Sequence, residues 1–243
     1  MRIPHIYCAN KLKQNSEITL GVGASNHILH VLRLKLGSPL ILFDGTGGEY
    51  DALLFAIDKL RVIAKVKKFI NREVESPLKI YLGQGISRGE KMDYTIQKAV
   101  ELGVYKITPL FTEYCNVKLS GERLQKRSQH WQSIAINACE QSGRNRIPSI
   151  DCAQGLPAWI PQSDSDILLT LCHRSSKTLA DLPQKLNTVT ILVGPEGGLS
   201  AHEIEFAQRY NFIPICFGPR VLRTETAALT VISILQSKWG DML

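Results

Sequence analysis

Two segments near the C-terminus combine glycine, proline and charge in a way that suits ligand binding. The first is Gly194-Pro-Glu-Gly-Gly198, whose glycines let the backbone approach a ligand closely. The second, Phe217-Gly-Pro-Arg-Val-Leu-Arg-Thr-Glu-Thr-Ala227, leads into a predicted helix, and the free N–H groups of a helix start suit a carboxylate or another anion. Glycine-rich loops are also ordinary turns, so both readings stay open at this point.

The elements that must position these loops are strands of a parallel sheet. From residue 78 onward, buried runs alternate with amphipathic segments, which indicates strands alternating with helices and a mostly parallel sheet covered on both faces. Strands are predicted at residues 78–82, 106–110, 166–171, 189–193 and 213–217. The two loops, and a third that begins after Leu171, each follow a strand. Ligands bind outside the carboxyl ends of such strands, so we expect one shared pocket.

The intervening helices carry start signals. Ser87-Arg-Gly-Glu90 and Ser200-Ala-His-Glu203 match the capping box, in which a hydroxyl and a carboxylate satisfy helix N–H groups reciprocally. A long helix is predicted at 121–142, and the last helix is expected to open near Thr224.

Residues 1–72 form a different region. Alternating apolar and polar residues with Asp-Gly and Gly-Gly turns predict a small β-rich domain of barrel or sandwich type, with one short helix at 26–34. The stretch 71–77 has linker composition and ends in proline. We therefore expect two domains, at 1–72 and 76–243.

Composition excludes several classes of protein. The 243 residues are 44% hydrophobic and 21% charged, which is typical of a globular chain and not of a disordered one. No apolar run reaches the roughly 18–20 residues of a membrane span, and no secretory signal is visible, so we expect a cytoplasmic protein with no membrane association. The six cysteines form no Cys-x-x-Cys pair, and we expect neither disulfides nor a metal. The net charge of +7 is compatible with nucleic acid but does not require it.

Two nucleotide-binding signatures are missing. There is no G-x-x-x-x-G-K-[ST] phosphate loop, and Gly83-Gln-Gly-Ile-Ser-Arg-Gly89 misses the dinucleotide pattern G-x-G-x-x-G by one residue.

The two C-terminal segments, taken together, closely resemble the SPOUT methyltransferases. More narrowly, the chain is similar to the RsmE group, which methylates N3 of a uridine in 16S ribosomal RNA. Further stretches support the resemblance along the chain: His27-x-x-His30-Val-Leu-Arg33, Lys98-Ala-Val-Glu-Leu-Gly-Val104 and Glu140-Gln-Ser-Gly-Arg144.

The resemblance implies a PUA-like β-barrel, which binds RNA, followed by a parallel-sheet α/β domain with a deep trefoil knot. It implies S-adenosylmethionine as cofactor, a homodimer whose pocket is completed across subunits, and 16S rRNA or the small ribosomal subunit as partner. The expected cofactor-binding residues are Leu171, Gly194, Pro195, Glu196, Gly197, Gly198, Phe217, Gly218, Leu222, Thr224, Thr226 and Ala227.

Catalysis at uracil N3 requires removal of a proton and stabilisation of the anion that forms on O2 and O4. Arg223, beside the cofactor loop, is the first candidate for stabilising that anion. Glu225 or Glu196 could accept the proton, or could instead hold the cofactor or a backbone N–H. Arg144 could enter the pocket from the partner subunit, or could be a charge that complements the C-terminus of its own helix.

RNA binding is expected to be spread over basic side chains that contact phosphate without reading sequence. The candidates are Arg2, Arg33, Lys65, Lys67, Arg88 and Lys91. The target uridine must leave its stack to reach a pocket. Two other functions stay open: a catalytically inactive RNA-binding or ribosome-assembly protein of the same fold, and a methyltransferase acting on tRNA or a ribose 2′-OH.

Overall fold

The structure, a computed structural model, describes residues 3–172, 175, 177–178 and 182–242. The chain divides into two compact units. The first comprises Met1–Glu75 and Ile136–Ile147, and the second comprises Ser76–Ala135 and Pro148–Leu243. The sequence-based limits 1–72 and 76–243 place the main boundary at the same linker, but they assign residues 136–147 to the second domain, whereas the structural division places them in the first.

The first unit is built on a mostly antiparallel sheet. In the described part of the chain its five strands run in the spatial order β1-β3-β4-β5-β2, and only β1 and β3 pair in parallel. The strands are β1 (His5–Tyr7), β2 (Ser16–Thr19), β3 (Pro39–Phe43), β4 (Glu49–Asp58) and β5 (Arg61–Ile70).

Alternation along β5 decides which side of this sheet is the core. Val62, Ala64 and Val66 are fully buried, whereas Lys65 and Lys67 on the opposite side of the strand are exposed. The short helix expected at 26–34 begins earlier and has two parts, α1 (Val22–Asn26) and a π-helical turn (His27–Val31).

The second unit contains a parallel sheet. Among the described residues, its strands run in the order β12-β10-β11-β6-β7-β8, with β9 also pairing with β7, and every pair is parallel. The strands are β6 (Lys79–Gly85), β7 (Lys106–Phe111), β8 (Ser149–Ile150), β9 (Gln154–Gly155), β10 (Ile167–Leu171), β11 (Thr188–Val193) and β12 (Phe212–Ile215).

Helices lie between these strands in sequence, and one helix follows the last strand. They are α2 (Glu90–Glu101), α3 (Gly121–Ser142), α4 (Leu156–Trp159) followed by a 3₁₀ turn (Ile160–Gln162), α5 (Ala201–Arg209) and α6 (Thr224–Trp239). Residues 189–193 of β11 are all buried, as expected of a central parallel strand covered on both faces. Within the described ranges, no helix is both long enough and apolar enough to cross a membrane.

One of the two predicted capping boxes forms. Ser200 accepts a hydrogen bond from the Glu203 amide, and the Glu203 carboxylate accepts one from the Ser200 amide, so the prediction for α5 is confirmed. The prediction for Ser87 and Glu90 is wrong. Helix α2 begins at Glu90 after Gly89, which has φ +53° and makes no side-chain cap. The buried Ser87 hydroxyl instead donates to the carbonyl of Gly85.

A buried glutamine fixes the last helix. Gln236 is fully buried on α6, and its side-chain amide donates to the carbonyl of Leu102 at 3.1 Å while its carbonyl oxygen accepts from the Ser76 hydroxyl at 2.6 Å. These bonds join α6 to the residue that follows α2 and to the first residue of the second unit.

Candidate functional site

Residues from the three loops expected to form a pocket line one cavity of about 560 Å³ in the second unit; of the loop after Leu171 only Cys172 lines it, and residues 173, 174 and 176 lie outside the described residues. The loops follow β10, β11 and β12, which are adjacent and parallel, so their carboxyl ends lie at the same edge of the sheet. The cavity is lined by Lys91, Leu171, Cys172, Val193, Gly194, Pro195, Glu196, Gly197, Gly198, Ile215, Cys216, Phe217, Gly218, Arg220, Val221, Leu222, Arg223, Thr224 and Ala227.

All the expected cofactor-binding residues except Thr226 line this cavity, and so does Arg223. Thr226 is exposed on the first turn of α6. Lys91, expected to contact RNA, also lines the cavity. Six further residues that line the cavity were not expected to bind the cofactor. Val193 and Ile215 end strands, Cys172 and Cys216 directly follow strands, and Arg220 and Val221 lie inside the second motif.

The loop of residues 194–198 is packed so closely that glycine is required at several positions. A Cβ on Gly194 would lie 2.6 Å from the carbonyl carbon of Gly198, and one on Gly197 would lie 2.8 Å from Cβ of Tyr114. Gly198 has φ +73°, a conformation that residues with a side chain rarely adopt. The loop is therefore a compact turn whose backbone forms part of the cavity wall.

Helix α6 begins at the cavity. The Thr224 hydroxyl donates to the carbonyl of Gly194 at 2.6 Å, which joins the helix start to the glycine-rich loop. Arg223, the residue before the helix, is exposed and lines the cavity. The first backbone N–H groups of a helix have no partner within it, so this end favours an anionic group.

Glu196 is engaged with the neighbouring helix. Its Oε1 accepts a hydrogen bond from the Arg88 amide at 3.0 Å and lies 3.6 Å from Nζ of Lys91. Burial alone would raise the pKa of Glu196, but the Arg88 amide and the Lys91 ammonium together hold that pKa below its ordinary value. A carboxylate stabilised in its ionised form is a poor proton acceptor, so Glu196 is better suited to anchoring the loop.

Glu225 and Arg144 do not line the cavity. Glu225 Oε2 is buried and has no hydrogen-bond partner among the described residues. Arg144 lies in the first unit, where its side chain is 6% exposed and is paired with Glu75 through Nε at 2.9 Å and through a second, shorter contact.

The other residues expected to bind RNA are at the surface. Arg33, Lys65 and Lys67 are exposed in the first unit, and Arg88 is exposed in the second. Arg33 has φ +52°. Lys65 Nζ lies 5.5 Å from the centre of the Phe55 ring. Arg2 lies outside the described residues.

The cavity suits a ligand with both apolar and polar parts. Leu171, Val193 and Ile215 supply apolar side chains, and the backbone of residues 194–198 supplies polar groups. Its volume lies within the usual range for small-molecule sites. Among the described residues, the cavity included, no group of three or more His, Cys, Asp or Glu side chains could hold a metal ion.

Comparison with known protein families assigns both parts of the chain. Residues 74–236 match an RNA methyltransferase domain, and residues 10–67 match an RNA methyltransferase PUA domain. The chain is 40% identical over 242 residues to ribosomal RNA small subunit methyltransferase E of Buchnera aphidicola (from Schizaphis graminum), covering 99% of this chain and 98% of that one. It is 31% identical to the Bacillus subtilis enzyme of the same name, covering 86% of each.

Solved structures agree with this assignment. Ribosomal RNA small subunit methyltransferase E of Neisseria gonorrhoeae, solved bound to S-adenosyl methionine, superposes with a TM-score of 0.93 at 36% identity and covers all of both chains. A methyltransferase of Legionella pneumophila, solved with the same cofactor, superposes with a TM-score of 0.97 at 40% identity, covering 99% of this chain and 100% of that one. The fold class expected from the sequence, a PUA-like domain followed by a SPOUT-type methyltransferase domain, is confirmed. The chain therefore belongs to the ribosomal RNA small subunit methyltransferase E family, the RsmE group to which its motifs pointed.

Proposed function

We propose that this protein transfers a methyl group from S-adenosylmethionine to N3 of a specific uridine in 16S ribosomal RNA. The observation that carries the proposal is the cavity lined by residues that follow β10, β11 and β12. A family relative with 36% identity is solved bound to S-adenosyl methionine, which supports this molecule as the ligand. Both family models, which cover most of the chain, describe RNA methyltransferases.

Different residues of the cavity would bind different parts of S-adenosylmethionine. Leu171, Phe217 and Leu222 provide apolar contact, and the backbone at residues 194–198 provides hydrogen-bonding groups close to the ligand. The free N–H groups at the start of α6 suit the carboxylate of its amino-acid part. When bound, S-adenosylmethionine supplies a methyl group that is already activated toward attack by a nucleophile.

The protein must therefore activate the uridine. N3 carries a proton at neutral pH and attacks only when that proton is lost or shared, which places negative charge on O2 and O4. Arg223 lies on the cavity wall with a guanidinium that offers donors in fixed geometry for those oxygens. We keep Glu225 as the proposed proton acceptor because Glu196 is already held in its ionised form, although Glu225 does not line the donor cavity and its Oε2 is buried.

The proposals for oligomeric state, location in the cell and RNA contacts come from the resemblance to the family. We propose a homodimer in the cytoplasm. In this proposal Arg144, which is paired with Glu75 in its own chain, acts across the subunit interface, and the exposed cations Arg33, Lys65, Lys67 and Arg88 contact phosphate together with Arg2. The uridine must be in an unpaired or easily unstacked segment, because a base inside a duplex cannot enter a pocket.

Mapping of modified nucleotides tests the substrate. In RNA from a strain lacking this gene, one uridine of 16S rRNA should lose its N3 methyl group, and purified protein with S-adenosylmethionine should restore it. An unchanged 16S rRNA, with the missing modification found in tRNA or at a ribose 2′-OH, would reject the proposal. Calorimetric titration with S-adenosylmethionine separates an active enzyme from an inactive RNA-binding relative, because the relative should not bind it.

A further inference from the structure

One fully buried polar side chain near the cavity is not part of its wall. Gln84 is 0% exposed and stands near the end of β6, in the segment 83–89 that resembles a dinucleotide motif without matching it. Its amide Nε2 donates to the Thr224 hydroxyl at 2.9 Å and to the carbonyl of Gly85 at 3.0 Å. A buried glutamine needs a reason to be where it is, because a leucine or methionine would fill the same space without the cost of desolvating an amide.

The side chains of Gln84 and Thr224 form a chain of hydrogen bonds that ends at the carbonyl of Gly194. Gln84 donates to Thr224, and the same Thr224 hydroxyl donates onward to the carbonyl of Gly194 at 2.6 Å. The amide also lies 3.4 Å from that carbonyl. The relay therefore connects β6, the first residue of α6 and the first residue of the glycine-rich loop, and the last two line the cavity.

The backbone of β6 is in contact with the same loop. A Cβ on Gly85 would lie 2.5 Å from the nitrogen and from Cδ of Pro195, so the strand and the loop touch directly at that point. This close approach brings the Gln84 amide within reach of both cavity elements. The absence of a side chain at Gly85 permits this close approach, and Gln84, the preceding residue, is hydrogen-bonded to Thr224.

One atom of Gln84 is left unsatisfied. Its Oε1 is buried without a hydrogen-bond partner in the part of the chain that the structure describes. An unpaired buried acceptor destabilises a fold. The unpaired Oε1 of Gln84 therefore destabilises the fold, whereas its Nε2 is hydrogen-bonded to a residue of the cavity wall. Such a combination is typical of residues that are kept for a functional site and not for the stability of the core.

We infer that Gln84 is a positioning residue for the methyl-donor site, acting through Thr224 and the carbonyl of Gly194 to hold the loop of residues 194–198 at the start of α6. The inference rests on the proposed function for the identity of the ligand, S-adenosylmethionine. Gln84 itself does not line the cavity, so its proposed effect is on the shape of the cavity and not on direct contact with a ligand.

The test is a set of matched variants of the full-length protein, each titrated with S-adenosylmethionine by calorimetry in the absence of RNA. Gln84→Met removes the amide and keeps the volume, and it should raise the Kd about tenfold, a difference of roughly 1.4 kcal/mol. Gln236→Met is the control, because Gln236 is also a fully buried glutamine of the second unit, but its bonds go to Ser76, Leu102 and Gly103. It should lower the unfolding temperature and leave the Kd within twofold.

A double-mutant cycle shows whether Gln84 and Thr224 affect donor binding through one chain of hydrogen bonds or through two independent contacts. Thr224→Val removes the hydroxyl and should also raise the Kd about tenfold, whereas Thr224→Ser retains the hydroxyl and should recover most of the affinity that Thr224→Val loses. The variant carrying both Gln84→Met and Thr224→Val should lose about tenfold rather than about a hundredfold, because both changes break the same chain of bonds. In steady-state assays the KM for the donor should rise and the KM for RNA should not.

Several outcomes would overturn the inference. The first is a Kd for Gln84→Met that lies within twofold of the wild-type Kd or equals that of Gln236→Met. The second is a double variant whose Kd rises by the product of the increases seen in the two single variants. If Gln84→Met does not fold, the Thr224→Val and Thr224→Ser pair still decides, since equal binding by both would show that the hydroxyl plays no part. Failure of the wild type to bind S-adenosylmethionine would instead reject the proposed function.

Discussion

Arg223 stands where the cavity wall meets the first turn of α6, and its exposed guanidinium is free to approach a base that enters from outside. Arg223→Ala should lower the rate of methyl transfer by about 10² or more, the usual effect of removing a donor that stabilises a developing anion. The Kd for S-adenosylmethionine should change by less than about threefold. Single-turnover assays and calorimetry measure the two effects separately.

Arg220→Ala is the matched control for Arg223, because Arg220 is also exposed and also lines the cavity. Its transfer rate should stay close to that of the wild type. If Arg223→Ala weakens donor binding as much as it slows transfer, Arg223 belongs to the donor site and another group must stabilise the uracil anion.

Gly197 tests whether the loop of residues 194–198 forms the donor site. Gly197→Val should weaken binding of S-adenosylmethionine at least about tenfold, because a side chain at this position meets Cβ of Tyr114 at 2.8 Å and must displace either that residue or the loop. In a Tyr114→Gly background the same substitution should cost less. Donor binding that survives Gly197→Val unchanged would show that this loop does not line the donor site.

The sequence predicted those cavity residues that belong to a motif directly after a strand. Geometry of parallel sheets alone brings the loops after Leu171, Val193 and Ile215 to one edge. The pairing of Arg144 with Glu75 was not predictable, because the two residues are 69 positions apart and no local pattern links them. Glu225 is similar: the sequence places it at a helix start but says nothing of its buried oxygen.

At the scale of elements, the end of α3 belongs to the first unit and is fixed there by charge. Arg144 and Glu75 are 6% and 17% exposed. Arg144→Ala should lower the free energy of unfolding by about 3 kcal/mol, because it leaves the Glu75 carboxylate without its guanidinium in a shielded position. Replacing both residues, as Arg144→Met with Glu75→Leu, should recover most of that loss in urea unfolding.

The double replacement also tests the catalytic role proposed for Arg144. If Arg144 acts in the pocket, the stable double variant should transfer methyl groups far more slowly than the wild type. A double variant with wild-type turnover would leave Arg144 with a structural role only.

Glu140, on the same part of α3, should make stability depend on pH. Burial raises the pKa of Glu140 above its ordinary value of 4.5, although the hydrogen bond from the Tyr7 amide at 2.9 Å opposes this. Above pH 4.5 the unfolded chain therefore loses this proton more readily than the folded one does, so Glu140 lowers stability as the pH rises through its folded-state pKa. Glu140→Gln keeps an oxygen acceptor for the Tyr7 amide and removes the ionisation.

Urea unfolding of both proteins at several pH values measures this effect. The stability of Glu140→Gln relative to the wild type should increase between pH 4.5 and pH 7.5, and every other titrating group cancels in the difference. A difference that is constant across this range would show that burial does not perturb Glu140.

The helices and strands themselves were largely predictable from periodicity, and the exceptions have local causes. Ser200 and Glu203 form the predicted capping box, whereas Ser87 turns back to the carbonyl of Gly85 and Gly89 takes a positive φ before α2. A four-residue pattern does not encode that backbone conformation. Nor does the continuous amphipathic pattern of α3 show that its last turns belong to a different unit from its first ones.

At the scale of the whole molecule, the sequence indicated two regions of different periodicity, and the structure has two units divided at the same linker. The order of the strands in the parallel sheet could not be predicted from the sequence, because alternating strands and helices are compatible with many strand orders. The chain carries a net charge of +7. This net charge is compatible with a polyanionic partner but does not locate the surface that would bind it, so the location has to be tested by substitution.

Lys65 and Lys67 are exposed on one side of β5, opposite the buried Val62, Ala64 and Val66. If both contact phosphate, Lys65→Gln with Lys67→Gln should weaken RNA binding equally for all RNA sequences, because phosphate contacts carry no sequence information. The slope of log K against log salt should become shallower by about 1.4, since each phosphate contact to single-stranded RNA contributes about 0.7 through counterion release. Binding of S-adenosylmethionine should not change, because the donor cavity is lined by residues of the second unit.

Lys11→Gln with Lys13→Gln removes the same charge from two other exposed positions of the first unit and therefore controls for net charge alone. Long-range attraction depends on the total charge, so both double variants should slow association to a similar small extent. Only loss of direct phosphate contacts changes the salt slope. Equal slopes for the two double variants would mean that this side of β5 does not meet the RNA, and that the positive charge of the chain acts by attraction at a distance instead.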